Sequence, residues 1–181
     1  AKKNHMTHRV FVILGDGECD EGSVWEAALF ANHFRLNNLI AIIDHNKMQS
    51  LDYCENTLKL ESLKDKWKSF GWNALEIDGH DHEQIRKAIN SSDVDGPTVI
   101  IADTVKGKGI SFMENDILWH YRFPHDGWEY DCAVNELHKS KPEGVEDIYT
   151  PSGIINPCLP DENADIGQDH TMSAGYHPTK F

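Results

Sequence analysis

Short apolar runs that alternate with helical segments restrict this chain to few folds. The predicted strands are Arg9–Leu14, Leu39–Ile43, Asn73–Ile77 and Pro97–Ala102. Apolar spacing and end signals predict the helices Glu21–Leu36, Leu63–Phe70 and His82–Ile89. Strands that are apolar throughout are typical of parallel sheets with both faces covered, so the first strand is expected to be buried. The predicted fold class is α/β: a mostly parallel sheet covered by helices on both faces.

The first predicted helix and the end of the chain carry further local signals. Residues at helical spacing predict one buried face for that helix, formed by Val24, Ala27, Ala28 and Ala31. After about residue 140 the apolar periodicity fades and prolines become frequent. We therefore predict one α/β domain over residues 1–140 and an extended tail over 141–181.

Composition excludes several classes of partner. A net charge of −13 argues against nucleic acid and anionic membrane surfaces. No apolar run approaches the ~18 residues of a membrane span, and no signal peptide is visible. The four cysteines are far apart with no CxxC pair, so the chain is predicted to be cytoplasmic. Ala1-Lys2-Lys3 resembles the end of a helix, which suggests a fragment or one piece of a split protein.

An acidic glycine turn, 15-GDGECDEG-22, follows the first strand. An EF-hand counted from Asp16 fails, because its glycine position holds Glu21 and its last ligand position holds Ala27. A dinucleotide fingerprint fails because Asp20 stands at the third glycine, and the P-loop lysine is missing. The remaining possibilities are a divalent cation held by Asp16 and a tight strand-to-helix turn with acidic helix-start residues.

Asn46 favours the cation over the simple turn. It follows the second strand, and in a parallel sheet the ends of neighbouring strands lie at one edge, where ligands bind. Mg²⁺ takes one or two protein oxygens and completes its shell with phosphate and water. Asp16 and Asn46 together predict a magnesium–phosphate site, although an isolated asparagine here is more often a turn residue. His80 and His82 are expected to be structural.

The motif pattern extends well beyond this turn. The GDG turn followed by Asn46 resembles the thiamine diphosphate motif. The surrounding sequence is similar to the transketolase family, most closely to the N-terminal subunit of split transketolases. The resemblance covers about residues 9–138. It rests on 15-GDGECDEGSVWEAALFA-31, 40-IAIIDHNKMQS-50, 77-IDGHD-81, 103-DTVKGKGISFMEN-115 and 119-WH-120.

The resemblance implies a set of site residues. Mg²⁺ would be held by Asp16, Asn46 and the main-chain oxygen of Met48. Thiamine diphosphate would contact Gly15, Gly17, Asn46, Lys106 and His120. His120 would also lie close to the reacting carbons, and Glu21 and Glu26 would join a network between the two active sites of a dimer. The catalytic residues implied in this chain are therefore His120, Glu21 and Glu26.

The same resemblance implies activity and partners. The activity is transfer of a two-carbon ketol unit between sugar phosphates. In the family a glutamate that activates the cofactor comes from another domain, and no residue here takes that role. The chain is therefore expected to need a C-terminal-type subunit carrying the pyrimidine-binding domain, in a heterotetramer made of two such pairs. The long segment that precedes Arg9 in the family is absent.

Three alternatives stay open. Tyr121 follows His120 where relatives usually carry glycine, so a related enzyme could use another donor, such as a pyruvate-derived unit. The chain could also be a truncated, non-catalytic half that binds a partner but no cofactor. The third alternative is an unrelated α/β cation-binding module.

Overall fold

The structure, a computed structural model, describes residues 1–91 and 95–144. It divides the chain into two units, Ala1–Phe123 and a second that begins at Pro124. From residue 145 onward the predicted tail lies outside the described residues, so its extended character and the boundary at residue 140 stay predictions.

The first unit is built on one parallel sheet. Its strands are β1 (Val10–Gly15), β2 (Leu39–His45), β3 (Asn73–Asp78) and β4 (Thr98–Asp103). Within the described residues the order is β1-β2-β4-β3, and every pairing is parallel. All four predicted strands are confirmed, and their carboxyl ends meet at one edge of the sheet. That edge is called the rim below.

Helices connect the strands and cover both faces of the sheet. In the first unit they are α1 (Gly22–His33), α2 (Cys54–Thr57), α3 (Leu63–Ser69) and α4 (His82–Asn90). The second unit contains α5 (Trp128–Lys139). Short 3₁₀ turns occur at Lys2–Asn4, Gly17–Asp20 and Ile117–His120. Within residues 1–91 and 95–144, no helix has both the length and the apolar character needed to cross a membrane.

Local capping explains where the central helices begin. The Ser62 hydroxyl accepts from the Asp65 N–H at 3.3 Å and caps α3. Asp81 accepts from the main-chain N–H groups of Glu83 and Gln84, and so caps α4. Gln84 donates its side-chain amide to Asp81 at 3.0 Å, while its side-chain carbonyl accepts from Asp78 N–H at the end of β3. The cap therefore also fixes the turn between strand and helix.

The core lies mainly on the face covered by α1 and α3. Trp67 and Trp72 are buried there, and the Trp72 ring N–H donates to the carbonyl of Ala28 at 3.0 Å. This bond ties the start of β3 to the middle of α1, so the aromatic residues serve packing. Ile40, Ile100 and Ala88 form a smaller cluster against α4 on the opposite face.

Two predictions about burial are wrong. Apolar side chains of β1 are substantially exposed, from 37% at Val12 to 72% at Ile13, because among the described residues Leu14 alone of this edge strand packs against a core cluster. Ala27 is exposed on α1, whereas Ala28 and Ala31 are buried. Val24 packs partly buried against the core beside Ala28 and Ala31, so three of the four predicted positions face the core and Ala27 does not.

Candidate functional site at the rim

The register of the sheet places the predicted site residues on adjacent strands. Gly15 at the end of β1 pairs with Asp44 of β2. His45, the last residue of β2, pairs with Asp103 of β4. Because the strands are parallel, the loops that follow these positions leave the sheet side by side. The turn at Asp16, the loop at Asn46 and the loop at Lys106 therefore share the rim.

Asp16 is the buried carboxylate of this site, with 2% of its surface exposed. One oxygen, Oδ1, accepts from Gly17 N–H at 2.9 Å, and Oδ2 accepts from Lys47 N–H at 2.7 Å. Burial raises the pKa of Asp16, although hydrogen bonds from Lys47 N–H, Cys54 and Gly17 N–H lower it in part. A buried carboxylate with a raised pKa is poorly solvated, and a cation would relieve that cost.

The loop after β2 folds back as a short hairpin, which we call the 46–54 hairpin. Met48 forms an antiparallel bridge with Tyr53, and Cys54 N–H donates to Lys47 carbonyl oxygen at 2.9 Å. At its start, Asn46 Oδ1 accepts from Met48 N–H at 2.9 Å. These bonds fix the hairpin next to Asp16, through the Lys47 N–H described above.

The donor atoms here suit a hard cation. Among the described residues there is no group of three His, Cys, Asp or Glu side chains that could hold a metal. A metal at the rim would therefore rely on one carboxylate, Asp16, with the Asn46 amide oxygen and main-chain oxygen as the other protein ligands. An all-oxygen set with few protein ligands fits Mg²⁺ that keeps water and phosphate oxygens in its shell.

A cavity of about 400 Å³ opens beside Asn46, at the start of the 46–54 hairpin. Asn46 and Lys106 both line it, so the structure brings an amide and a cation from adjacent strand ends to one space. The floor is apolar and includes Ile42, Ile77 and Ile100. Gly107 is required beside Lys106: its φ is +75°, and a Cβ there would lie 2.4 Å from the carbonyl oxygen of Met113.

His120 reaches the 46–54 hairpin from a distant part of the chain. Its Nε2 lies 3.3 Å from Ser50 Oγ, and the Tyr121 hydroxyl donates to the Ser50 carbonyl oxygen. Asp116 accepts from Leu118 N–H and so caps the 3₁₀ turn that ends at His120. Tyr121, the departure from the family pattern, thus binds the same hairpin residue as His120.

Other predicted residues lie outside this cluster of contacts. Glu21 and Glu26 are exposed at and near the start of α1. Gly15 N–H donates to the side chain of Glu18 at 2.6 Å, so Glu18 closes the turn instead of lying free in solvent. His80 accepts from Val105 N–H at 2.8 Å, which agrees with the structural role predicted for it.

Sequence reasoning missed two side chains near Asp16 and the 46–54 hairpin. The Cys54 side chain is hydrogen-bonded to the Asp16 carboxylate. His45 is buried immediately before Asn46 and contacts two carboxylates. His45 could have been found from the sequence, because it directly precedes Asn46. Cys54 could not, because its contact with Asp16 depends on how the hairpin folds back.

The chain is similar in sequence to known proteins. The family model "Transketolase, thiamine diphosphate binding domain" matches residues 1–121. The chain is 40% identical over 139 residues to one of the subunits of apulose-4-phosphate transketolase from Phocaeicola vulgatus, covering 76% of this chain and 49% of that protein. It is 42% identical over 139 residues to the 6-deoxy-6-sulfo-D-fructose transketolase subunit SqwG of a Clostridium species, covering 75% and 50% of the two chains. The chain thus spans about half the length of these curated relatives.

Solved structures give the same result for the fold. The transketolase of Campylobacter jejuni superposes with a TM-score of 0.60 at 31% identity, over 62% of this chain and 18% of that one. A transketolase variant from Pichia stipitis gives a TM-score of 0.65 at 28% identity, over 72% and 19%. The parallel sheet with its helices is thus the one found in these enzymes. On sequence and fold together, the chain belongs to the transketolase family, in which it corresponds to the thiamine diphosphate-binding domain.

Proposed function

We propose that this chain is the diphosphate-binding subunit of a split transketolase-type transferase. The observation that carries the proposal is the buried Asp16 carboxylate bonded to the N–H that follows Asn46, because it puts both predicted cation ligands at the same point of the rim. The membership of the transketolase family supplies the cofactor class.

A bound cation would offset the repulsion between the Asp16 carboxylate and the diphosphate. Asp16, Asn46 and the main-chain oxygen of Met48 would hold Mg²⁺, which would supply positive charge for the diphosphate. Lys106 provides a mobile positive charge from the neighbouring loop, on the cavity that it shares with Asn46. The Gly15 and Gly17 turn lets the main chain approach the phosphate oxygens closely. His120, which contacts Ser50 of the 46–54 hairpin, would lie on the substrate side.

Catalysis requires a second chain. Relatives of similar sequence are named as transketolase subunits, and the match covers about half of their length. The partner supplies the pyrimidine-binding domain with its activating glutamate, and two such pairs form a heterotetramer in which Glu21 and Glu26 face the dimer partner. Both glutamates are exposed, as that role needs.

The substrate class follows from the cofactor and the relatives. Bound thiamine diphosphate supplies a carbanion and an electron sink for cleavage of the bond beside a ketose carbonyl. This chain's residues would bind and orient that group, and His120 would hold a proton near the reacting carbons. The reaction is transfer of a two-carbon ketol unit from a ketose, such as a sugar phosphate, to an aldose acceptor, in the cytoplasm.

Calorimetric titration of the full chain, mixed with the pyrimidine-domain subunit, tests the proposal. Thiamine diphosphate should bind when Mg²⁺ is present and lose most of its affinity when EDTA removes the metal. Asp16→Ala should abolish metal-dependent binding, while Asp52→Ala, at the far end of the same hairpin, should leave it intact. Assays with ketose phosphate donors then test transfer.

Two results would contradict the proposal. Absence of metal-dependent cofactor binding with the partner present indicates a non-catalytic half that only binds a partner. Binding without transfer from any ketose phosphate, but with turnover of pyruvate, indicates a related enzyme with another donor.

A further inference from the structure

His45 is a buried histidine that the cofactor site described above does not use. It is the last residue of β2 and is 5% exposed. Its Nδ1 lies 2.9 Å from Asp103 Oδ1, and its Nε2 lies 2.9 Å from Glu61 Oε1. Both nitrogens of one buried ring are therefore occupied by carboxylates from opposite directions.

These contacts join three separate segments at the rim. Asp103 ends β4, immediately before the loop that carries Lys106, and Glu61 precedes α3. The main chain adds to the same junction, because Thr104 N–H donates to the His45 carbonyl oxygen at 3.2 Å. Asp103 also lies 3.3 Å from Lys47 Nζ. The end of β2 is thereby held on both sides.

Imidazole is well suited to this junction. Its two nitrogens point apart on a rigid ring, and a ring with a proton on each nitrogen can donate to two carboxylates at once. The carboxylates are half exposed, with side-chain exposures of 51% for Asp103 and 53% for Glu61. If His45 were replaced by an apolar ring, both carboxylates could be hydrated, so the fold would not be left with a buried unpaired charge.

The direction of the chain after His45 determines the geometry of residues Asn46–Met48. Lys47 N–H must point at Asp16 Oδ2, and Met48 N–H must point at Asn46 Oδ1. We propose that His45 is a positioning residue: by bridging Asp103 and Glu61 it holds the Asn46–Met48 segment in the arrangement that presents its oxygens beside Asp16. The role rests on the proposed function of that segment as a cation site.

Amide hydrogen exchange on the full chain tests this role without cofactor. In His45→Phe the ring still fills the space but bridges nothing. Exchange of Lys47 and Met48 amides should accelerate about tenfold or more, since local opening sets these rates. The amides of Gln84 and Ser91, at the two ends of α4, should keep their wild-type rates.

Two further variants make the bridge itself the tested feature. His45→Gln retains one amide that can reach a carboxylate, so it should restore part of the protection that His45→Phe loses. Glu61→Ala combined with His45→Phe should be no worse than His45→Phe alone, because both changes break one bridge. Unchanged exchange at Lys47 and Met48, or acceleration spread evenly over the chain, would overturn the positioning role.

A metal titration then connects the bridge to function. With thiamine diphosphate and the pyrimidine-domain partner present, His45→Phe should weaken Mg²⁺ binding by about tenfold or more, as is usual when a group supporting a metal ligand is lost. Faster exchange at Lys47 and Met48 with unchanged Mg²⁺ affinity would overturn the link to the metal. If wild-type protein binds no Mg²⁺ and cofactor, the proposed function fails, and the exchange data still decide whether His45 holds the loop.

Discussion

Gly17 leaves a space that a methyl group could fill without displacing protein atoms. A Cβ at this position would first meet Gln49 Cγ at 3.5 Å, which is ordinary van der Waals contact. The fold therefore does not require glycine here, and under the proposed function the space is left for the diphosphate.

Gly17→Ala should separate binding from stability. The free energy of unfolding should change by less than ~1 kcal/mol, because no clash is created. Affinity for thiamine diphosphate with Mg²⁺ and partner should fall at least about tenfold, because the methyl group occupies the path of the phosphates. Gly22→Ala is the matched control: its Cβ meets nothing within 4 Å, at the first residue of α1, and binding should not change. Equal affinities of the two variants would remove Gly17 from the site.

The cysteines near Asp16 should be chemically silent in the folded protein. Burial and the neighbouring carboxylates raise the pKa of Cys19 to about 12 and that of Cys54 to about 11. Because the thiolate is the reactive form, the reactive fraction at pH 8 falls by about a thousandfold for Cys19 and about a hundredfold for Cys54. Both residues therefore act as small protonated core groups, and Cys54 can remain a hydrogen-bond donor to Asp16.

Iodoacetamide labelling followed by peptide mass spectrometry measures this protection. Neither Cys19 nor Cys54 should be labelled at pH 8 in the time that labels the urea-unfolded chain completely. The raised pKa values also determine how these thiols make stability depend on pH. A raised folded-state pKa contributes stability below about pH 9, and that contribution is lost as the pH rises toward 11–12. Rapid native labelling at either thiol would contradict the burial seen at the rim.

At the scale of elements, β1 and β2 have similar compositions and opposite environments. Ile13 on β1 is 72% exposed, while Ile43 on the adjacent β2 is fully buried. Truncating a buried isoleucine removes both hydrophobic transfer free energy and packing contacts, whereas truncating an exposed isoleucine removes little of either.

Paired truncations should reveal that difference. Ile43→Ala should lower the free energy of unfolding by about 2–5 kcal/mol, and Ile13→Ala by less than ~1 kcal/mol. Urea denaturation with unchanged m-values gives both numbers. If Ile13→Ala were as costly as Ile43→Ala, β1 would be covered in solution by another chain or by a second copy, and dilution should then reduce its cost.

The strands and helices could be predicted because their signals are local. Apolar runs, the Asp81 cap and the left-handed Gly71 after α3 each act within a few residues. Burial of β1 could not be predicted, because it depends on what lies beside an edge strand. The prediction for Ala27 fails for a similar reason, because burial of a helix residue depends on what packs against the helix.

Some residues of the candidate site could likewise be predicted from the sequence and others could not. Asp16 and Asn46 could be placed together from sequence, because parallel strands put consecutive loops on one rim. The bridge through His45 could not, because it requires Asp103 to end a strand paired with β2 and Glu61 to fold back beside it. Contacts between segments far apart in sequence need the topology, which periodicity does not supply.

At the scale of the whole molecule, charge should make anion binding depend on a cation. The chain carries a net charge of −13, and the rim presents a buried carboxylate at Asp16. A diphosphate approaching this site without metal meets repulsion in a poorly solvated environment, where charges interact strongly. Bound Mg²⁺ reverses the sign of the local field.

The two ligands should therefore promote each other's binding by the same factor. In the assembled complex, Mg²⁺ should raise the affinity for inorganic pyrophosphate by about tenfold or more, and pyrophosphate should raise the affinity for Mg²⁺ equally, because coupling free energies are reciprocal. Isothermal titration of each ligand with and without the other measures both factors. Asp16→Asn removes the carboxylate that holds the metal, so in this variant both factors should fall toward one together. Pyrophosphate binding that is tight without metal and insensitive to Asp16→Asn would place the anion on Lys106 alone, and the cation would then have no part in holding the cofactor.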